Sequence, residues 1–124
     1  MKRAYSLKGR KSYNSVFLKG RKKRGKGVII FVLKRNRSEK AGNLSDFRDI
    51  KVGIAVSRKL GKANRRNWIK RRIRSVCNEF IEQMNDGLSI IIKPGQESLE
   101  MSYEELRSDI IGVLKNSGVI NESG

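Results

Sequence analysis

The stretch KVGIAVSRKLGKANRRNWIKRRIR, residues 51–74, changes its hydrophobic period partway along. Over residues 51–57 the apolar side chains alternate. Val52, Ile54 and Val56 fall on one face and Lys51, Gly53, Ala55 and Ser57 on the other, which is the period of a strand. The second face carries little side-chain bulk, so another chain or a backbone can approach it closely. After the polar turn SRKLGK the period lengthens. Ile69, Ile73, Val76, Cys77 and Phe80 recur at intervals of three and four, the apolar stripe of a helix predicted over residues 63–84. A strand that feeds a long helix directly is the organising unit of the chain.

The neighbouring segments extend the pattern in both directions. Upstream, residues 12–19 predict a short helix with Tyr13, Val16 and Phe17 on one face, ended by Gly20. RKKRGKG then reads as a glycine-punctuated basic loop, and VIIFVL over 28–33 as a buried strand. Residues 34–50 form a polar loop of mixed charge. Downstream, Asp86-Gly87 is a turn, and LSIII over 88–92 is a strand stopped by Pro94-Gly95. Ser102 with Glu105 is a capping box that opens a last helix lined by Tyr103, Leu106, Ile110, Val113 and Leu114. Residues 117–124 are expected to fray. No internal repeat or linker divides the chain, so residues 1–124 are read as one domain. The order helix, strand, strand, helix, strand, helix predicts an α+β fold, a small α/β sandwich.

Charge narrows the function. The net charge is +17, and it is segregated. Residues 1–38 hold fourteen Lys or Arg and no acid, residues 58–74 nine more and no acid, and residues 79–124 nine acids against three bases. Such a division implies a basic surface facing a polyanion, with nucleic acid favoured. An anionic membrane fits less well, because no segment pairs a basic face with a broad exposed apolar one. No apolar run is long enough to span a bilayer, and no apolar region follows the basic start as in a secretory signal. The single cysteine, Cys77, rules out an internal disulfide, which fits a reducing intracellular compartment.

The helix that begins in NRRNWIKRRIR is unfavourable by itself. Lys62–Arg66, Arg66–Lys70 and Lys70–Arg74 are like-charge pairs, each costing roughly 0.2–0.5 kcal/mol. The cations also crowd the first half of the helix, where the macrodipole prefers anions. A bound polyphosphate offsets both terms, and the helix N-terminus is itself an anion site. With about 100° per residue, Asn67, Lys70, Arg71, Arg74 and Asn78 gather opposite the apolar stripe. Arg65 and Arg72 take one shoulder with Trp68 beyond them, and Arg66 takes the other. Catalytic apparatus is missing. There is no histidine, Cys77 belongs to the apolar stripe, and the acids lie in the C-terminal third without paired spacing. The residues alone describe a nucleic-acid-binding domain with no active site of its own.

These residues resemble a known family, the protein component of bacterial ribonuclease P. The resemblance rests on SRKLGK followed by Arg66, Asn67, Lys70, Arg71 and Arg74, which match the family's Arg-Asn-Arg-x-Lys-Arg type of motif. LKGRKSYNSVFLKG is similar to its first helix with two aromatics, VGIAVSRK to its central strand, and IIIKPG and SYEEL to its last strand and helix. Trp68 departs from the pattern, which has Arg after the Asn. It reads either as a stacking residue for a base or sugar or as a half-buried flank aromatic.

The resemblance implies a sheet of about four strands with three helices, a short strand after the first helix, and a left-handed βαβ crossover. It implies a ribonucleoprotein whose RNA carries catalysis, with one protein bound to each ribonuclease P RNA and no protein partner or membrane required. Arg58, Lys59, Lys62, Arg65, Arg66, Asn67, Lys70, Arg71 and Arg74 would bind that RNA. Tyr13, Phe17, Phe31 and Ser57 would meet the 5′ leader of precursor tRNA in a central cleft; simple core packing is the alternative for Phe17 and Phe31. Cleavage of the leader would use Mg²⁺ held mainly by the RNA, with no catalytic or metal-ligating residue in the protein, in the cytoplasm. The rival reading is a structural RNA-binding protein of ribosomal type with no role in cleavage. A duplex-DNA binder is disfavoured because no dimerisation stripe accompanies the basic helix.

Overall fold

The computed structural model of the chain describes residues 5–35 and 49–121. Its elements are α1 (Arg10–Lys19), β1 (Arg21–Arg24), β2 (Val28–Lys34), β3 (Ile50–Ile54), α2 (Ala63–Phe80), β4 (Leu88–Pro94) and α3 (Tyr103–Asn116). The four strands form one mixed sheet in the order β1-β2-β4-β3. β2 is antiparallel to both β1 and β4, whereas β3 and β4 are parallel. α2 is therefore the crossover of a βαβ unit. The α+β class, the three helices and the four strands agree with expectation.

Strand alternation distributes side chains to two faces. Val28, Ile30 and Val32 of β2, Ile90 and Ile92 of β4, and Ile50 and Val52 of β3 join the main core. That core is closed by Ile69, Ile73, Val76 and Cys77 of α2 and by Leu106, Ile110, Val113 and Leu114 of α3. On the opposite face Ile91 packs with Leu7 and Val16, surrounded by half-buried Tyr13, Phe17, Phe31, Leu33 and Ala55. Ile90, Ile91 and Ile92 are all fully buried, since β4 is central and covered on both sides. This is why its sequence reads as a continuous apolar run rather than an alternating one.

The structure corrects the sequence reading in four places. Arg21–Arg24, a loop by composition, is the short strand that the resemblance implies; its four residues are exposed, and its pairing with β2 supplies the order that an apolar pattern would otherwise signal. A row of cations also protects a sheet edge from adding another chain. The hairpin that follows is fixed by Asp109 of α3, whose carboxylate accepts the N–H groups of Lys26 and Gly27, each at 2.7 Å. Second, α2 ends at Phe80 and tightens into a 3₁₀ turn over Ile81–Gln83, which turns Ile81 and Met84 into the core. Third, Lys34 and Ile50, the two ends of the expected 34–50 loop, belong to strands. Its neck is closed by Arg35, paired with Asp49 at 2.9 Å, and residues 36–48 lie outside the described residues.

Fourth, residues 117–121 do not fray. Gly118, at φ 77°, lets the chain reverse, so that its N–H reaches the Lys115 carbonyl and that of Val119 reaches Leu114. This is a Schellman closure, with Val119 and Leu114 both buried. Ile120 then bridges to Met84. Residues 122–124 of the expected tail lie outside the described residues.

Candidate nucleic-acid interface

The turn between β3 and α2 is anchored from below and basic above. The Ser57 hydroxyl accepts the Lys59 N–H at 3.2 Å, capping a 3₁₀ turn over Arg58–Leu60. Leu60 is buried beneath it, and the Gln96 amide donates to the Lys59 carbonyl at 2.9 Å. Arg58, Lys59 and Lys62 stand exposed on this fixed base, and Arg65 folds back across Gly61. Ser57 thus sits where the cleft strand meets the basic turn, with its hydroxyl committed to the backbone.

α2 continues the positive surface. Its N-cap, Lys62, makes no side-chain cap and its first turn holds no acid; the Asn64 amide oxygen accepts the Arg65 N–H at 2.9 Å, which leaves the N–H groups of Ala63 and Asn64 to an anion. Asn67, Arg71 and Arg74 are exposed, as the helical projection requires. Lys70 and Arg66 are half-buried, stacked one turn apart on the same shoulder. The Arg66 Nε is buried and has no partner among the described residues. None of Arg58, Lys59, Lys62, Arg65, Arg66, Lys70, Arg71 and Arg74 pairs with a carboxylate among the described residues. Elsewhere on the surface Arg107 holds Glu79 with three hydrogen bonds, so the chain does pair its charges where acids are at hand.

Trp68 has a plain structural partner. The Arg72 guanidinium lies 4.4 Å from the Trp68 ring centroid and 5.7 Å from that of Tyr103, while donating to the Met101 carbonyl at 3.0 Å. Arg72 is thereby spent on joining α2 to α3, and Trp68, 37% exposed, is its lid. The Trp68 ring lies on the flank of α2, against Arg72, with its outer side exposed. Cys77 is fully buried, and burial pushes its thiol up to about 12, so it stays protonated within the core.

The three aromatics expected in the cleft do come together, on the α1 face of the sheet. Phe17 meets Phe31 edge-on, with centroids 4.8 Å apart and planes at 79°. Both are half-buried, which leaves part of each ring open. Tyr13 lies over Gly53 so closely that a Cβ there would stand 2.6 Å from the phenol oxygen. The low floor of β3 is therefore occupied by the tyrosine itself. Burial raises the phenol pKa, against the opposing effect of a backbone hydrogen bond with Ile54, so Tyr13 is neutral at physiological pH. From this face β3 leads through Ser57 straight into the basic turn. The acids Asp109 and Asp49, which organise the hairpin and the neck of residues 36–48, were not singled out in the sequence. Isolated carboxylates carry no motif, and only the fold reveals what they hold.

The comparisons with known proteins agree with one another. The family model for Ribonuclease P matches residues 1–118. The ribonuclease P protein component of Symbiobacterium thermophilum is 33% identical over 124 residues, covering 100% of each chain. That of Bacillus cereus is 29% identical over 119 residues, 96% of each chain. The solved Staphylococcus aureus RNase P protein aligns with a TM-score of 0.79 at 25% identity, covering 96% of this chain and 100% of that one. The Thermotoga maritima RNase P protein aligns at 0.73 with 23% identity, covering 90% and 96%, a likeness of fold.

Proposed function

The chain belongs to the ribonuclease P protein family, and from that premise we propose that it binds ribonuclease P RNA and the 5′ leader of precursor tRNA, promoting removal of the leader. The array of cations on the 57–61 turn and the first half of α2, unpaired with any carboxylate among the described residues, carries this reading. Arg58, Lys59, Lys62, Arg65, Arg66, Asn67, Lys70, Arg71 and Arg74 are assigned to the RNA subunit. Guanidinium forks engage phosphate oxygens in pairs, and a fixed turn presents them without much loss of side-chain entropy. Tyr13, Phe17 and Phe31 are assigned to the leader, whose unpaired bases stack on half-open rings. Ser57 is assigned a supporting part, since its hydroxyl holds the turn.

The protein contributes binding and orientation, and catalysis is assigned to the RNA. Among the described residues no three carboxylate, cysteine or histidine side chains gather as a metal site. The donor set of this surface is cationic, so Mg²⁺ is assigned to RNA oxygens, where it would supply charge stabilisation for phosphodiester hydrolysis. No helix among the described residues is long and apolar enough to cross a membrane. A cytoplasmic protein acting one per RNA, with no other protein partner, completes the reading.

Reconstitution tests it. Added to a bacterial ribonuclease P RNA and precursor tRNA at low Mg²⁺, the chain is expected to accelerate formation of the mature 5′ end. Tight RNA binding with no acceleration for any compatible RNA would instead make it a structural RNA-binding protein.

A further inference from the structure

α1 divides its face of the sheet into two grooves. Around the buried Val16, a turn of about 100° per residue puts Tyr13 and Phe17 on one flank and Ser12 and Ser15 on the other. The strand register repeats the division. Gly53, Ile91 and Phe31 form one cross-strand row, and Lys51, Ser89 and Leu33 form the next row on the same face. The half-buried Tyr13, Phe17 and Phe31 occupy the first row. Over the second lies a cavity of about 580 Å³, within the roughly 300–1,000 Å³ usual for ligand sites.

Its lining is hydroxyl-rich and basic. Ser6, Ser12, Ser15 and Ser89 contribute hydroxyls, and Lys8 and Lys51 contribute ammonium groups. No acid lines it among the described residues. Arg35 forms part of the wall, with its guanidinium held by Asp49 and by the carbonyls of Asp49 and Leu88. Ser89 is the informative residue. It is only 3% exposed, on the central strand, yet its hydroxyl makes no hydrogen bond among the described residues. The oxygen is not itself sealed away: it opens onto the cavity, where a ligand can reach it. Beside the cavity α1 starts at Gly9 with no side-chain cap and no acid in its first turn.

We propose that this second groove binds one phosphate–ribose unit of a single-stranded RNA, independently of the aromatic cleft. Hydroxyls that both donate and accept suit a ribose 2′-OH, while Lys8 and the uncapped start of α1 suit the phosphate. The groove lies one strand row from Phe31 and Gly53, so an RNA strand on this face can reach both. The proposal rests on the RNA-binding reading for the source of the phosphate. Its test needs no ribonuclease P RNA, so the two readings can fail separately.

The ¹⁵N-labelled full chain would be titrated with inorganic phosphate, uridine 5′-monophosphate and an oligouridylate, following backbone amide shifts. Saturable shifts at Ser15 and Ser89 are expected with the oligonucleotide, at least about tenfold tighter than with inorganic phosphate. Ser89→Val replaces the hydroxyl with a methyl-bearing side chain. It is expected to weaken the groove shifts by about tenfold, equivalent to about 1.4 kcal/mol, and to leave shifts at Phe17 and Phe31 in place. Ser15→Leu blocks the groove from the helix side and keeps the test open if the strand variant unfolds. Undiminished shifts in either folded variant, or shifts confined to exposed lysines and arginines, would overturn the proposal. Equal affinity for inorganic phosphate would overturn its assignment to RNA.

Discussion

The two faces of the sheet are covered to different depths. One lies under α2 and α3 and is sealed by fully buried aliphatic side chains. The other lies under the ten-residue α1, with Leu7, Val16 and Ile91 buried and Tyr13, Phe17 and Phe31 left half open. The first face provides the stability that permits the second to stay incomplete. The basic turn is where the faces meet, because β3 is the edge strand and its chain passes from the thin face into the helix that covers the thick one.

The largest expected effect probes the thick face. Ile73→Ala removes a fully buried side chain and is expected to cost about 2–5 kcal/mol in denaturant unfolding. A cost below 1 kcal/mol would mean that α2 does not close the core. On the thin face Phe17→Ala should cost less stability but more function, about 1–3 kcal/mol of affinity per stacked base. The check is to compare leader-containing tRNA with mature tRNA, and equal losses for both would remove the leader from this cleft. Tyr13→Ala and Gly53→Val attack one contact from opposite sides. Both should weaken leader binding, the second because its side chain displaces the phenol.

A smaller effect is set by pH. Hydrogen bonds from the Ser102 backbone and hydroxyl hold the Glu105 carboxyl below its usual range, and Arg107 does the same to Glu79. Both folded-state values lie below the unfolded ones, so the unfolded chain takes up protons first as pH falls. Their stabilisation is complete above the ordinary carboxylate range and is lost as pH drops through the folded values. Glu105→Gln keeps an acceptor for the capping box but cannot titrate. Its acid limb in thermal unfolding should be shallower than that of the parent, and an identical limb would remove Glu105 from the linkage.

Legibility followed the same division between faces. The thick face was readable because burial imposes a period: the Ile69–Ile73–Val76–Cys77 stripe and the 51–57 alternation could be read directly. The Ser102–Glu105 cap was equally plain. β1 was not, since RKKR has no apolar residue and becomes a strand only by pairing with β2. The closure at Gly118 was missed although an apolar Val after the glycine is its sign. At the candidate site the exposed face of α2 followed from geometry. The half-burial of Lys70, the sandwich of Arg72 between Trp68 and Tyr103, and the tyrosine resting on Gly53 depend on neighbouring elements that no local pattern encodes.

On the proposed reading, the cations of α2 hold RNA by displacing counterions. The direct test is the slope of log affinity for ribonuclease P RNA against log salt concentration, measured for the parent chain and for Arg66→Ala and Lys70→Ala. Each substitution is expected to flatten the slope by roughly 0.7–0.9 unit, while Lys115→Ala on α3 leaves it unchanged. Slopes in the α2 variants equal to that of the parent would contradict the claim.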